Sequence, residues 1–264
     1  MTTHDTFKTS SGKKIVEMAL SSNSSSRITQ PSPTETATAD SATVKIAPHY
    51  VNKGLPLQSQ IIGFNAVFKR LFDLILGGII FVLLMPLLIV ISVLIKLDST
   101  GPALFYQQRR GRNGELIDVY KFRTMFQTFS TPVPTDESFI QTTKNDRRVT
   151  RIGSFLRKTS LDELPQLLNV LQGNMSLIGP RPHPMPLDEQ YKFYIPDLAA
   201  RYAIKPGITG WAQINGLRGE TVNVKDMVAR VEHDCHYINN WSLWLDIKIL
   251  ALTAIKGWKH KNAY

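Results

Sequence analysis

Hydrophobic positions along the chain fall into one long unbroken run and several shorter periodic ones. The run from Leu74 to Ile95, LILGGIIFVLLMPLLIVISVLI, carries no charge. As a single helix it is roughly 33 Å long, about the thickness of a bilayer core. A core helix of a soluble domain is usually shorter and keeps a polar edge. Here only Ser92 and two glycines interrupt the apolar surface. The run is therefore read as membrane-embedded. Pro86 near its middle removes a backbone hydrogen bond and predicts a kink or break. Lys69 and Arg70 precede the run, while Lys96, Arg109, Arg110 and Arg112 follow it. Basic residues favour the cytoplasmic side. A helix that breaks at Pro86 and returns puts both groups there, whereas a kinked spanning helix puts one on the far side. The pattern alone leaves both readings open.

The remaining patterns are shorter. Phe64, Phe68 and Phe72 repeat every four residues and predict a helix leading into the membrane element, with Lys69 and Arg70 at headgroup depth. Ala103 to Phe122 reads as a β-hairpin around Asn113-Gly114. A polar loop is expected over 128–145. Leu161, Leu164, Leu167, Leu168 and Leu171 mark an amphipathic helix ended by Gly173. Its start has two candidates: Ser160 with Glu163 as a capping box, or Asp162 as the N-cap with Pro165 in the first turn. Either way Asp162 lies at a helix N-terminus, where negative charge is favoured. A further helix is expected over 187–202, interrupted near Pro196. Lys205 to Trp211 reads as a tight glycine-rich loop, and helical periodicity returns over 224–244 with a break at Asn239-Asn240. The last stretch mixes Trp241, Trp244 and Trp258 with lysines and aliphatics, as in a helix lying at a membrane interface or docked amphipathically.

Composition narrows the class. The 264 residues include 31 basic and 21 acidic ones, a formal charge of +10. Beside a membrane element this favours anionic lipid headgroups as partners. No nucleic-acid recognition motif is present, so nucleic acid is not expected. A single cysteine, Cys235, excludes an internal disulfide and a zinc cluster. Residues 1–57 are rich in Ser, Thr, Pro and Ala and are expected to be disordered. Their polar opening does not resemble a cleaved leader. The expected organisation is a 1–57 extension, a 58–98 membrane-entry and re-entrant element, and a 99–264 catalytic domain with C-terminal interfacial helices. The fold class is α+β, mostly helical with a small hairpin.

The densest chemistry lies in DRRVTRIGSFLRKTSLDELPQLLNVLQGNMSLIGPRPHP, from Asp146 onward. Asp162 and Glu163 are adjacent carboxylates, ordinarily a solvated surface feature. Arg157 upstream and Arg181, held in a stiff Pro-Arg-Pro turn, change that reading. Arginines bind phosphate bidentately, and carboxylates hold Mg²⁺ together with substrate phosphates. An aspartate also serves as a nucleophile at phosphorus. The combination points to phosphoryl chemistry on a diphosphate with one partner dissolved in lipid. Lys121 and Arg123 follow a strand, where they either bind a phosphate or pack. Lys205 heads a loop that folds over the site. His183 either contacts phosphate or stabilises its turn.

FKRLFDL at 68–74, YKFRTM at 120–125, RVTRIGSFLRKTSLDELPQLLNVLQGNMSLIGPRPH at 148–183, KPGITGWAQINGLRGET at 205–221 and DCHYINNWSLWLDIKIL at 234–250 carry a resemblance in the right order. The chain resembles the bacterial sugar transferases, monotopic enzymes that pass a sugar-1-phosphate to a polyprenyl phosphate. The resemblance implies a ping-pong reaction at the cytoplasmic face of the bacterial inner membrane. Asp162 attacks the sugar-side phosphorus of a UDP-sugar, UMP leaves, and undecaprenyl phosphate then takes the phosphosugar. It implies Glu163 and Asp162 as Mg²⁺ ligands, and Arg157, Arg181, Lys121, Arg123 and Lys205 as phosphate ligands. It also implies a re-entrant membrane helix bent at Pro86 and allows a homodimer. GLRGET and HYINNWSLW resemble the hexose-1-phosphate branch, with UDP-glucose expected ahead of UDP-galactose. A membrane scaffold with a vestigial dyad and a non-covalent transferase are the rival readings. One departure stands out: the motif usually carrying Asp after Gly reads Gly173-Asn174 here. The chain also resembles a minimal form, without the spanning helices and middle domain of larger members.

Overall fold

The computed structural model describes Ser59 and residues 61–127, 146–219 and 224–256. The expected 1–57 extension, the 128–145 loop and Trp258 lie outside the described residues. Gly63–Asp98 forms one helix, α1, of 36 residues. It is the one described helix long and apolar enough to cross a membrane. Residues Lys69, Asp73, Gly77, Ile80, Leu84, Leu88, Ile91 and Ile95 recur every three or four positions and face the protein body. The opposite stripe is apolar and bare, with Leu83 at 73% and Leu97 at 80% exposure. Such a surface is matched to lipid rather than water.

Helical structure continues through Pro86, so the chain does not leave helical conformation there. One proline removes one hydrogen bond, and packing on both sides of it holds the helix. Phe81 and Leu84 meet one core cluster, Leu88 and Ile91 another. The headgroup placement expected for Lys69 and Arg70 is also corrected. Lys69 is buried 2.8 Å from Asp246, since a buried ammonium requires a partner. Arg70 donates to the carbonyls of Val170 and Leu171, at the end of the helix that stops at Gly173.

The hairpin forms as expected. Strand β1 (Leu104–Arg110) pairs antiparallel with β2 (Leu116–Phe122), Tyr106 opposite Tyr120. Asn113 and Gly114 both hold positive φ in the turn, as a tight hairpin demands. Helix α2 (Arg151–Thr159) is capped by the Thr150 hydroxyl, which accepts from the Gly153 amide. It ends at Ser160 in the left-handed region, followed by a single 3₁₀ turn over Leu161–Glu163. Helix α3 (Gln166–Gln172) begins only after Pro165, so neither Ser160 nor Asp162 caps it. The dyad instead occupies the turn between two helices. Gly173 ends α3 at φ 93°.

Strand β3 (Ser176–Ile178) pairs in parallel with β4 (Gly207–Thr209). The expected glycine loop therefore contains a strand. Gly179 and Gly207 let the two backbones touch, because a Cβ on Gly207 collides with the Gly179 amide. Helices α4 (Met185–Tyr191), α5 (Trp211–Ile214), α6 (Val224–Asn239) and α7 (Leu243–Lys256) complete the body, with a 3₁₀ segment over Pro196–Ala203. Val119, Leu167, Val170, Ile178, Ile238 and Ile249 form its main core. Asp246 accepts from Tyr237 and Trp241 as well as Lys69, tying α7 to α1. Helix α7 buries Asp246 and Ile249 while exposing Trp244, Ile247 and Ile255, an amphipathic surface. Trp241 is buried rather than set at headgroup depth.

Candidate active site

The 3₁₀ turn between α2 and α3 presents two neighbouring carboxylates in different environments. Glu163 is buried and fully engaged. Arg181 grips it with both guanidinium nitrogens, Nη1 at 2.8 Å from Oε2 and Nη2 on Oε1. Lys121 donates to the same Oε1 at 3.0 Å. Burial by itself raises a carboxyl pKa, but Arg181 and Lys121 outweigh it and hold Glu163 well below the usual range. Asp162 has no such partners: among the described residues no group hydrogen-bonds its carboxylate. Burial and the negative Glu163 beside it push Asp162 up to about 6, against the pull of Lys121, Arg157 and Arg181.

Long-range packing supplies the surrounding cations. Lys121 comes from the end of β2, and Arg157 from the last turn of α2, steered by the Thr124 hydroxyl at 2.9 Å from its Nε. Arg181 sits in the Pro180-Arg181-Pro182 turn after β3. Two buried arginines hold that turn: Arg109 donates to the Pro182 carbonyl at 3.0 Å, and Arg201 to the Arg181 carbonyl at 2.6 Å. Arg201 is itself paired with Asp234 at 2.8 Å. His183 lies beneath, 3.0 Å from Asp188, and burial together with Arg201 pushes it down to about 3. It stays neutral and has a structural position rather than one facing the carboxylates. Cys235 is buried, its thiol pushed up to about 12 by burial.

The structure thus brings Asp162, Glu163, Lys121, Arg157 and Arg181 together. It does not bring in Arg123 or Lys205. Arg123 donates to the carbonyls of Thr100 and Ser99 and closes the end of α1. Lys205 stands with Arg70 beside Gly173, at the far end of α3 from the dyad. Sequence reasoning missed Arg218, which donates to the Ser160 hydroxyl at 2.6 Å and lies 3.9 Å from Glu163. Its presence in GLRGET was visible, but nothing local connects it to a turn some 58 positions earlier.

The arrangement offers one unpartnered, weakly acidic carboxylate under a ring of fixed cations, with a second carboxylate holding two of those cations in place. That is the equipment for attack on an anionic phosphorus centre. The chain belongs to the bacterial sugar transferase family, whose profile matches residues 64–260. It is 51% identical over 206 residues to the UDP-glucose:undecaprenyl-phosphate glucose-1-phosphate transferase of Klebsiella pneumoniae, covering 78% of this chain and 43% of that one. The protein of the same name from Escherichia coli K12 is 50% identical over 202 residues, 76% of this chain and 42% of that one. The exopolysaccharide production protein PSS of Rhizobium leguminosarum bv. phaseoli is 44% identical over 194 residues, 72% of this chain and 95% of that one. The chain spans less than half the length of the first two.

Proposed function

We propose that the protein transfers glucose-1-phosphate from UDP-glucose to undecaprenyl phosphate, releasing UMP, through a phosphoglucosyl group carried on Asp162. The observation that carries the reading is the contrast within the dyad. No described residue hydrogen-bonds the Asp162 carboxylate and its pKa is raised to about 6, so at pH 7 it is mostly an ionised nucleophile with raised basicity. An oxygen of Asp162 attacks the sugar-side phosphorus, and the bond to the bridging oxygen breaks with its electron pair leaving on UMP. The phosphate oxygen of undecaprenyl phosphate then attacks the same phosphorus, and Asp162 departs as a carboxylate. That acceptor is already anionic, so it needs no general base. Arg181, Arg157 and Lys121 stabilise the charge that spreads over the phosphoryl oxygens in both steps.

Mg²⁺ is part of the proposal. The described residues hold no cluster of three or more ligating side chains, but Mg²⁺ commonly takes one or two carboxylates plus substrate phosphates. Asp162 fits such a set. Glu163 has both oxygens taken by Arg181 and Lys121, which shifts the expected ligation toward Asp162. When bound, the ion withdraws charge from the diphosphate oxygens.

The placement proposed is the cytoplasmic face of the bacterial inner membrane, with α1 dipping into the bilayer. Support comes from α1 itself: residues near both its ends, Lys69 and Ile95, are buried against the same body. A helix whose ends lay on opposite faces of a bilayer would not meet one domain that way. The net charge of +10 favours anionic headgroups at that surface. The test is turnover by purified protein given Mg²⁺, undecaprenyl phosphate and a panel of UDP-sugars. UDP-glucose should give UMP and a glucosyl lipid product, and Asp162→Asn should give neither. UMP release from UDP-galactose but not UDP-glucose would contradict the donor assignment, and release from none would contradict the reaction.

A further inference from the structure

Arg218 is the cation of this site whose placement the dyad alone does not explain. It stands between Gly216 at φ 89° and Gly219 at φ 107°, after α5. Among the described residues, its hydrogen-bond acceptor is the Ser160 hydroxyl at 2.6 Å. Glu163 at 3.9 Å is too far for a hydrogen bond. Ser160 holds φ 59°, a left-handed conformation that residues other than glycine seldom adopt. Its hydroxyl does not cap the turn it opens, so its side-chain bond goes to Arg218. A second anchor brings Arg218 back over that turn: Arg230, buried against His183, donates to the Gly219 carbonyl at 3.0 Å.

Charge balance gives the arrangement a purpose. Lys121, Arg157, Arg181 and Arg218 act on Asp162 and Glu163. Four cations face two carboxylates, so the site holds an excess of positive charge, the sign that favours an anionic diphosphate. Arg181 and Lys121 already have Glu163. Among the described residues Arg218 hydrogen-bonds only a neutral hydroxyl, two residues from the attacking carboxylate, and meets Glu163 at the longer distance of 3.9 Å. We propose that Arg218 is a further substrate-binding residue, exchanging the Ser160 hydroxyl for an oxygen of the donor's sugar-side phosphate. This rests on the transferase reading above and adds to it a role for Arg218.

Calorimetric binding to Asp162→Asn protein in detergent, which cannot consume the donor, tests the idea. Adding Arg218→Gln should weaken UDP-glucose binding ~10- to 100-fold, the range of a lost hydrogen bond to a charged group. Binding of UMP, which lacks the second phosphate, should change by less than about threefold on the same grounds. Arg218→Lys should recover part of the loss. Ser160→Ala, which keeps the guanidinium and removes its resting partner, should bind UDP-glucose as well as before or better. Equal weakening of UMP and UDP-glucose by Arg218→Gln, or no weakening of either, overturns the proposal. If Arg218→Gln melts early, the ratio of UDP-glucose to UMP affinity in Arg218→Lys decides, and an unchanged ratio overturns it. Parent protein that neither binds nor turns over any UDP-sugar overturns the transferase reading together with the proposal. Normal binding that is indifferent to Arg218 overturns the proposal alone.

Discussion

At the scale of residues, Asp162 and Glu163 share a backbone turn yet titrate in opposite directions. Asp162 has a folded pKa of about 6 against an ordinary 3.8, so its ionised form is a cost to the folded state. That cost is complete above pH 6 and fades as the pH falls toward 4. Asp162→Asn should therefore melt higher than the parent protein at pH 7.5, by on the order of 1–3 kcal/mol, while losing all transfer. The gap should narrow in melts run at progressively lower pH. In the active protein, the same protonation should make the rate of donor cleavage fall as pH drops below about 6. Glu163 behaves the other way. Glu163→Gln strands Arg181 and Lys121 beside a buried neutral amide, and thermal melts should show a loss on the order of 3–5 kcal/mol. The adjacency of the two acids and the expectation that they differ in role were legible in the sequence; the grip of Arg181 and Lys121 on Glu163 was not, since both are distant from it in the chain.

At the scale of elements, α1 is fastened to the body by charges that the pattern assigned to the membrane surface. Lys69 lies 2.8 Å from Asp246, 177 positions away, and no local signal reports such a contact. Lys69→Met should leave Asp246 buried with only Tyr237 and Trp241 as donors and lower the melting temperature in detergent. Lys69→Met with Asp246→Asn should recover much of that loss in a double-mutant cycle; strict additivity would contradict the pairing. The hairpin was readable because Asn113-Gly114 is a local turn signal, and α3 because its leucines repeat at helical spacing. The parallel pair β3–β4 was not, since each strand is three residues long and its pairing depends on the mutual approach of Gly179 and Gly207. The start of α3 was not legible for a comparable reason: Ser160 is of a type that caps helices, but its hydroxyl is bonded to Arg218 instead.

At the scale of the whole molecule, an apolar helix exposes one face along its length while the other holds the body that carries the dyad. Cysteines placed at Ser59 and Thr100 flank α1 and test the proposed topology. Both should react with a membrane-impermeant maleimide in inverted vesicles and neither in spheroplasts. One site reacting from each side would make α1 a spanning helix. The most direct measurement of the central claim uses UDP-[¹⁴C]glucose and Mg²⁺ without lipid acceptor, quenched and mapped by peptide mass spectrometry. The account predicts a phosphoglucosyl group on Asp162, UMP released in equal amount, and discharge on adding undecaprenyl phosphate. Turnover with acceptor present but no label on Asp162, or label on another residue, would contradict it.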